Sequence, residues 1–214
     1  MSRTKTLAKP IRMPVQARSA YTVEAIFEAT IQVLIQLGVN QLTTTKVADR
    51  AGVAVGTLYQ YFPNKNALLS AALERHLGAV VAAVEKACSA AKDQPVNDMA
   101  TALVSAFVDA KISHADVSRA LYAVASEHGG RDVVARMTQR SQLALCDMLA
   151  TAPDAQFSDL AVVSYMLSTA LVGPVQGLLQ ADMPPVFAQQ VKAQLTVMAS
   201  AYLQEAGTAR KAAG

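Results

Sequence analysis

The residues best suited to chemistry in this sequence are hydroxyls, the carboxamide of Gln60 and two lysines between Thr43 and Lys65. Hydroxyl and ammonium groups are the donors that hold a phosphate backbone in position. The amide of Gln60 can form two hydrogen bonds with adenine, and Val55 can touch a thymine methyl group. The candidate residues are Thr43, Thr44, Thr45, Lys46, Val55, Thr57, Tyr59, Gln60, Tyr61 and Lys65. These residue types favour binding of duplex DNA over catalysis.

Residues that carry catalysis or bind metals are not grouped along the chain. His76, His114 and His128 are too scattered for metal-ligand spacing, and Cys88 and Cys146 lack it as well. No paired acid and base and no nucleophile beside a base is evident. We therefore expect no enzyme, no metal site and no cofactor. Two distant cysteines without a signal peptide predict reduced thiols in a cytoplasmic protein.

Composition and charge give the broad class. Of 214 residues, 52% are hydrophobic and 16% charged, which favours a folded chain, and the absence of long alternating β-branched runs favours an all-α fold. Residues 1–78 carry nine basic and four acidic residues, whereas residues 79–214 carry ten and twelve. A polyanion would therefore bind residues 1–78, unless these basic residues only belong to a solvated tail.

Short helices must position the candidate residues. A first helix is predicted from Thr22 to about Leu37, and two helices of about eight residues follow on either side of Gly52. Neither short helix is long enough to be stable alone, so both must pack on the first. The predicted inner face comprises Val47, Ala48, Ala51, Val53, Leu58 and Phe62, packed against Ile26, Phe27 and Thr30. The pattern is a helix-turn-helix, and Gly56 lets backbone N–H groups of its second helix approach a large anion.

The rest of the chain is predicted to be helical. Asn64 caps a long fourth helix, and five further helices lie near 97–113, 116–128, 130–151, 158–181 and 185–206. The segment Leu160–Ala181 has no charge and is long enough to span a bilayer. Glycines, a proline and glutamines inside it and acids at its ends favour a buried bundle helix, so no membrane partner is expected.

The run from Thr43 to Leu69 resembles the DNA-binding domain of the TetR (tetracycline-repressor-like) family of bacterial regulators. The matching positions are Thr43, Ala48, Ala51, Gly52, Val53, Gly56, Thr57, Leu58, Tyr59, Tyr61, Phe62, Lys65, Leu68 and Leu69. Ala54 departs from the family's serine cap, and Arg18 can replace an arginine that many members have at the start of the first helix. The resemblance covers about residues 16–77, and the rear half agrees only in length and helical character.

The resemblance implies a homodimeric regulator, most simply a repressor, that a small apolar effector releases from its DNA operator. It implies a DNA-binding domain at 19–65 and a ligand-sensing and dimerisation domain at 66–206. The polar, basic and proline-containing residues 1–18 predict a flexible arm, and residues 207–214 are predicted to be a disordered tail. The candidate pocket residues are Phe107, Met137, Met148 and Met166, with core packing as the alternative. The candidate dimer residues are Leu160, Leu167, Leu171, Val191, Leu195, Met198 and Tyr202.

Other interpretations remain open at this stage. Tyr59 and Tyr61 can be packing residues, Thr43 can be only a cap, and the outward residues can form an ordinary solvated face. The whole protein can be a DNA-binding protein of the same fold without a small-molecule ligand, or an all-α enzyme. Neither the operator sequence nor the effector follows from the residues.

Overall fold

The computed structural model describes residues 17–126, 130–181 and 183–209, which form nine helices and two short strands. The elements are α1 (Ala17–Gln41), α2 (Thr44–Ala51), α3 (Val55–Tyr61), α4 (Lys65–Ala90), α5 (Val96–Ile112), α6 (Ala115–Ser126), α7 (Gly130–Leu149), β1 (Ala155–Phe157), α8 (Leu160–Gln180), α9 (Pro185–Ala206) and β2 (Gly207–Ala209). The prediction of an all-α fold is confirmed. Most of the predicted basic arm lies outside the described residues.

The chain divides into two compact units. The front unit takes the chain up to His76 together with Asp116–Ala135, and the rear unit takes Leu77–Ala115 and the chain from Arg136 onwards. This division differs from the sequence-based boundary at 65/66, because the first part of α4 and most of α6 belong with the front helices. Within the front unit, Nε2 of His76 lies 3.0 Å from the hydroxyl of the buried Ser118, which joins α4 to α6.

The front unit has its core where α1 meets α2, α3 and α4. Ile26 and Leu34 of α1 are fully or almost fully buried, and so are Val47 of α2, Leu58 of α3 and Leu68 of α4. Gly38 has a left-handed φ of 73° and interrupts α1 where the sequence predicted its end. The regular part of α1 therefore forms the platform on which both short helices pack.

The rear unit is built around α5, α8 and α9. The side chains of Val104 and Val108 on α5 are buried, as are those of Leu195 and Leu203 on α9. At the edge of this core Lys192 donates to both carboxylate oxygens of Asp109, at 2.8 and 2.7 Å, and ties α9 to α5. The rear helices begin and end within two residues of the predicted positions, because glycines and prolines mark their joints.

Two three-residue strands were not predicted. β1 pairs antiparallel with β2, with Ala155 opposite Ala209 and Phe157 opposite Gly207. An added Cβ at Gly207 would lie 2.8 Å from the Cβ of Ala155, so the pairing needs glycine at this position. Residues 207–209, which we expected to be disordered, are therefore ordered by pairing with a segment 52 residues earlier. Residues 210–214 lie outside the described residues.

By length and composition, three helical segments of the described chain could cross a membrane, namely Ser19–Gln41, Lys65–Ala90 and Leu160–Gln180. Each of them also contributes to a core of the protein. Ile26 on α1, Leu69 on α4 and Leu171 on α8 have at most 2% of their surface exposed. Part of the apolar surface of each of these helices therefore packs within the chain.

Candidate nucleic-acid interface

The first short helix has a complete set of end signals. Thr43 has extended backbone angles, and its hydroxyl accepts a hydrogen bond from the backbone N–H of Lys46 at 3.3 Å. Gly52 adopts the left-handed conformation, with φ 66° and ψ 30°, and the N–H of Val53 donates back to the carbonyl of Ala48. The predicted cap and the predicted left-handed glycine of α2 are both confirmed. Together they turn the chain into α3.

The second short helix is held from its inner side. Leu58 of α3 is fully buried, and Phe62, which follows the helix, meets Phe27 of α1 edge-on with ring centroids 5.4 Å apart. Ala54 precedes the helix and makes no side-chain capping bond, as the sequence indicated. The next side-chain cap in the chain belongs to α4, where Asn64 accepts a hydrogen bond from the N–H of Ala67 at 2.9 Å. Since α3 has no polar cap of its own, its apolar side anchors it.

The outer side of the helix pair is polar and exposed. On α3, Gly56, Tyr59 and Gln60 are exposed, while Val55, Thr57 and Tyr61 are half-buried. On α2, Thr45 and Lys46 are exposed, together with the cap residue Thr43, and Thr44 is half-buried. No acidic residue occurs between Asp49 and Glu74. The structure leaves all of these predicted contact residues at least partly exposed, with Asp49 of α2 as an exposed acid on the same helix pair. The side chain of Arg18 lies outside the described residues.

Several candidate residues already have partners inside the front unit. The hydroxyls of Thr44 and Tyr59 are 2.9 Å apart and link α2 to α3. Nζ of Lys46 donates to the carbonyl of Gln41 at 3.0 Å, and Nζ of Lys65 donates to the carbonyl of Val39 at 2.6 Å. An ammonium group has three donors, so these bonds leave each lysine able to donate further.

Supporting residues around the site were missed by the sequence reasoning. Arg75 on α4 makes a bidentate ion pair with Glu24 on α1 and also lies over the ring of Phe27, 5.2 Å from its centroid. Arg50 at the end of α2 donates to the side chain of Gln32 on α1 at 2.6 Å. Arg75 is 51 residues from Glu24, and Arg50 is 18 residues from Gln32, so no local spacing of residues predicts these contacts. They fix α2 and α4 to the helix that carries the core.

The candidate pocket residues are not all directed inward. Met137 and Met148 are buried and Phe107 is half-buried, but Met166 has half of its surface exposed. A shallow cavity of about 240 Å³ lies elsewhere in the rear unit, lined by Leu149, Ala150, Ala155, Gln156, Phe157 and Leu160. None of the four candidates lines this cavity.

The candidate dimer residues divide in the same way. Leu167, Leu171 and Leu195 are buried within the protomer, Leu160, Val191 and Tyr202 are half-buried, and Met198 is exposed. The exposed apolar residues of α8 and α9 form another set, which shares only Met198 with the predicted one and which we call the α8–α9 stripe. It comprises Val162, Tyr165, Met166, Val172, Val186, Phe187, Val197 and Met198. The sequence indicated the two helices, but six of the seven residues chosen from it are not exposed.

Burial shifts the pKa values of two titratable groups in the rear unit. Burial raises the pKa of the Cys88 thiol to about 12, so this sulfur stays protonated and unreactive. Burial lowers the pKa of Lys111 to about 8. Among the described residues, no group of three or more His, Cys, Asp or Glu side chains is placed to hold a metal ion.

The geometry of α1–α3 defines a helix-turn-helix protein, the class that lays its second short helix against duplex DNA. Comparison with known proteins identifies the family. The profile described as "Bacterial regulatory proteins, tetR family" matches residues 26–72, and the profile described as "Tetracyclin repressor-like, C-terminal domain" matches residues 95–203. The second match alone covers half of the chain. The chain therefore belongs to the tetracycline repressor-like family of bacterial transcriptional regulators.

Individual relatives agree with this assignment. The chain is 43% identical over 63 residues to an uncharacterized HTH-type transcriptional regulator of Haemophilus influenzae, covering 29% of this chain and 34% of the relative. It is 42% identical over 65 residues to the HTH-type transcriptional repressor KstR of Mycobacterium tuberculosis, covering 30% of each. The matches thus span about a third of the length of these relatives.

A solved structure shows the same fold over most of the chain. A TetR-family transcriptional regulator from Mesorhizobium loti superposes with a TM-score of 0.71 at 16% identity, covering 90% of this chain and 100% of that chain. At this identity the likeness concerns the fold alone.

Proposed function

We propose that this protein is a cytoplasmic homodimeric repressor that binds an operator in duplex DNA through α3 and leaves it when a small apolar effector binds the rear unit. The observation that carries the proposal is that α3 has one buried side and one exposed side. Leu58 anchors one side in the core, whereas Gly56, Tyr59 and Gln60 are exposed on the other. A short helix held in this way presents the same side chains to every DNA sequence that it meets.

The exposed residues divide into two roles. Gln60 and Val55 are proposed to read base edges in the major groove. Thr43, Thr45, Lys46, Thr57, Tyr61 and Lys65 are proposed to contact the phosphate backbone, together with Thr44, Tyr59 and Arg18. Gly56 has no side chain, and an added Cβ there would meet nothing within 4 Å in the protein, so the open space beside it is available to DNA. Phosphate contacts give affinity and register, while Gln60 gives sequence preference.

The proposed dimer rests on the α8–α9 stripe. Its residues recur at helical spacing on both helices, and their side chains are 38% to 71% exposed in the protomer. Apolar side chains concentrated on one face in this way are typical of an interface between subunits. A two-fold pair of such faces forms a four-helix bundle and can hold two α3 helices about 34–36 Å apart, one turn of B-DNA.

The proposed effector acts through the rear unit. To move a regulator from 99:1 to 1:99 in favour of free protein, a ligand must prefer one state by about 5.5 kcal/mol. A regulator without an effector is the alternative. Thermal unfolding with a panel of apolar compounds separates the two proposals, since a true ligand stabilises the protein in proportion to the logarithm of its concentration.

Selection of bound sequences from random duplex DNA tests the DNA-binding proposal. We expect enrichment of an inverted repeat with half-site centres one helical turn apart. The Gln60→Ala variant should lose base preference at one position in each half-site, whereas Gln36→Ala, at an exposed glutamine of α1, should select the wild-type sequence. A wild-type protein that enriches no sequence and binds no duplex at low ionic strength contradicts the proposal.

A further inference from the structure

The hydrogen bond between Thr44 and Tyr59 spans the helix pair at its exposed surface. The two hydroxyl oxygens are 2.9 Å apart, although the residues are 15 positions apart in sequence. The neighbouring Thr43 already caps α2 through the N–H of Lys46. The two consecutive threonines therefore differ in their contacts, because Thr43 serves its own helix and Thr44 reaches across to α3.

The protons of this pair can be counted. Two hydroxyls carry two protons, and their mutual hydrogen bond uses one of them. The second proton can be donated to a group outside the protein. Tyr59 is the more exposed partner, with 43% of its surface accessible, whereas Thr44 is half-buried. A phenol is also a better hydrogen-bond donor than an aliphatic alcohol, so an anion beside the pair draws on the proton of Tyr59.

We propose that Thr44 is a positioning residue and that Thr44 and Tyr59 together form one phosphate-binding unit. Thr44 donates its proton to the oxygen of Tyr59, and Tyr59 donates its own proton to a single phosphate oxygen of the DNA. This inference rests on the proposed DNA-binding function and replaces two independent hydroxyl contacts by one coupled contact. The bond from Thr44 polarises the phenol and holds it in one rotamer, which strengthens the bond to phosphate.

A double-mutant cycle tests the coupling. Thr44→Val keeps the shape of the side chain and removes its hydroxyl, and Tyr59→Phe removes the phenolic hydroxyl. We expect Tyr59→Phe to weaken binding to random-sequence duplex about tenfold, a typical loss for one hydrogen bond to a charged acceptor. Thr44→Val should weaken binding several-fold, and the double variant should bind no more weakly than Tyr59→Phe. Thr44→Ser, which restores the hydroxyl, should recover affinity.

Further measurements separate positioning from support of the fold. The salt dependence of binding should keep its slope in all these variants, because a neutral hydroxyl displaces no counterion. Thr138→Val, the same change at an exposed threonine of α7 outside the proposed interface, controls for altered helix propensity. Thermal unfolding should change equally in Thr44→Val and Tyr59→Phe, because both break the same internal bond, whereas their DNA affinities differ.

Three results would overturn the inference. Additive losses in the double variant mean two independent contacts, and an equal loss in Thr138→Val means that the loss in Thr44→Val does not come from its bond to Tyr59. Losses of affinity that follow losses of stability across all variants mean that the bond only ties α2 to α3. These outcomes require wild-type protein that binds duplex, whereas a wild-type protein that binds none contradicts the proposed function itself.

Discussion

Phe27 of α1 meets Phe62 at the end of α3 edge to face, with the ring centroids 5.4 Å apart and the planes inclined by 62°. The guanidinium of Arg75 on α4 lies over the ring of Phe27. The two aromatic rings therefore join the end of the proposed recognition helix to both long helices of the front unit. Because α3 has seven residues, its orientation depends on contacts such as these.

The aromatic contact predicts the effect of shortening Phe62. Phe62→Ala removes a side chain that is 2% exposed and leaves a cavity beneath α3. We expect the front unit to lose about 3–5 kcal/mol of unfolding free energy in chemical denaturation. Ile35→Ala, at an exposed apolar residue of α1, should cost less than 1 kcal/mol. Similar losses for the two variants would show that Phe62 does not support α3.

The two glycines of the helix pair predict opposite changes. Gly56 lies within α3 with open space around it, so Gly56→Ala should raise the unfolding free energy by about 0.5 kcal/mol and weaken DNA binding. Gly52→Ala forces alanine to a φ of 66° and should lower the unfolding free energy by about 1–2 kcal/mol. Denaturation and fluorescence anisotropy with labelled duplex measure the two effects. Unchanged DNA affinity in Gly56→Ala would remove this glycine from the proposed interface.

The α8–α9 stripe predicts how the dimer can be separated. Val197→Glu places a carboxylate in the centre of the proposed interface and should give monomers in analytical ultracentrifugation. Affinity for a two-site operator should then fall at least about a hundredfold, because the half-sites are no longer bound by one particle. The control is Leu143→Glu, at an exposed residue of α7. A Val197→Glu protein that remains dimeric would place the interface elsewhere.

Lys111 predicts a pH dependence of stability. Burial lowers the pKa of its ammonium group from 10.5 to about 8, so between these values the unfolded chain binds more protons than the folded one. The contribution of Lys111 to the unfolding free energy should therefore rise with pH from about 8 to 10.5, by at most about 3 kcal/mol. Above pH 9 the raised pKa of Cys88 contributes a fall, so the effect of Lys111 is measured as the difference between wild type and Lys111→Met. Lys111→Met should abolish that part of the rise, and Lys92→Met, at an exposed lysine, is the control. Equal pH profiles for wild type and Lys111→Met would contradict the assignment.

The parts of the fold that local chemistry determines were predictable. Thr43, Gly52 and Asn64 each act within three or four residues of their own position, so their side-chain types and spacing suffice to place the ends of α2 and α4. The buried residues Val47, Leu58 and Phe62 followed from helical periodicity in the same way. Family resemblance strengthened the assignment of the helix-turn-helix.

Other features depend on distant partners or on ambiguous patterns. α8 is apolar on nearly all sides, so periodicity cannot separate the buried Leu167 from the exposed Met166 beside it. The strand pairing of Phe157 with Gly207 joins segments about 50 residues apart and gives no local signal. The hydrogen bonds from Lys46 and Lys65 to backbone carbonyls could not be predicted either, because residue type alone does not determine which acceptor a lysine reaches.

The bonds from Lys46 and Lys65 to the carbonyls of Gln41 and Val39 have a consequence for the affinity of DNA binding. Each carbonyl uses one of the three donors of its ammonium group and holds that group in one place, so a phosphate meets a cation that is already positioned. A change that removes either carbonyl contact leaves the net charge unaltered but should weaken DNA binding, because the freed lysine then loses rotamer freedom when it binds.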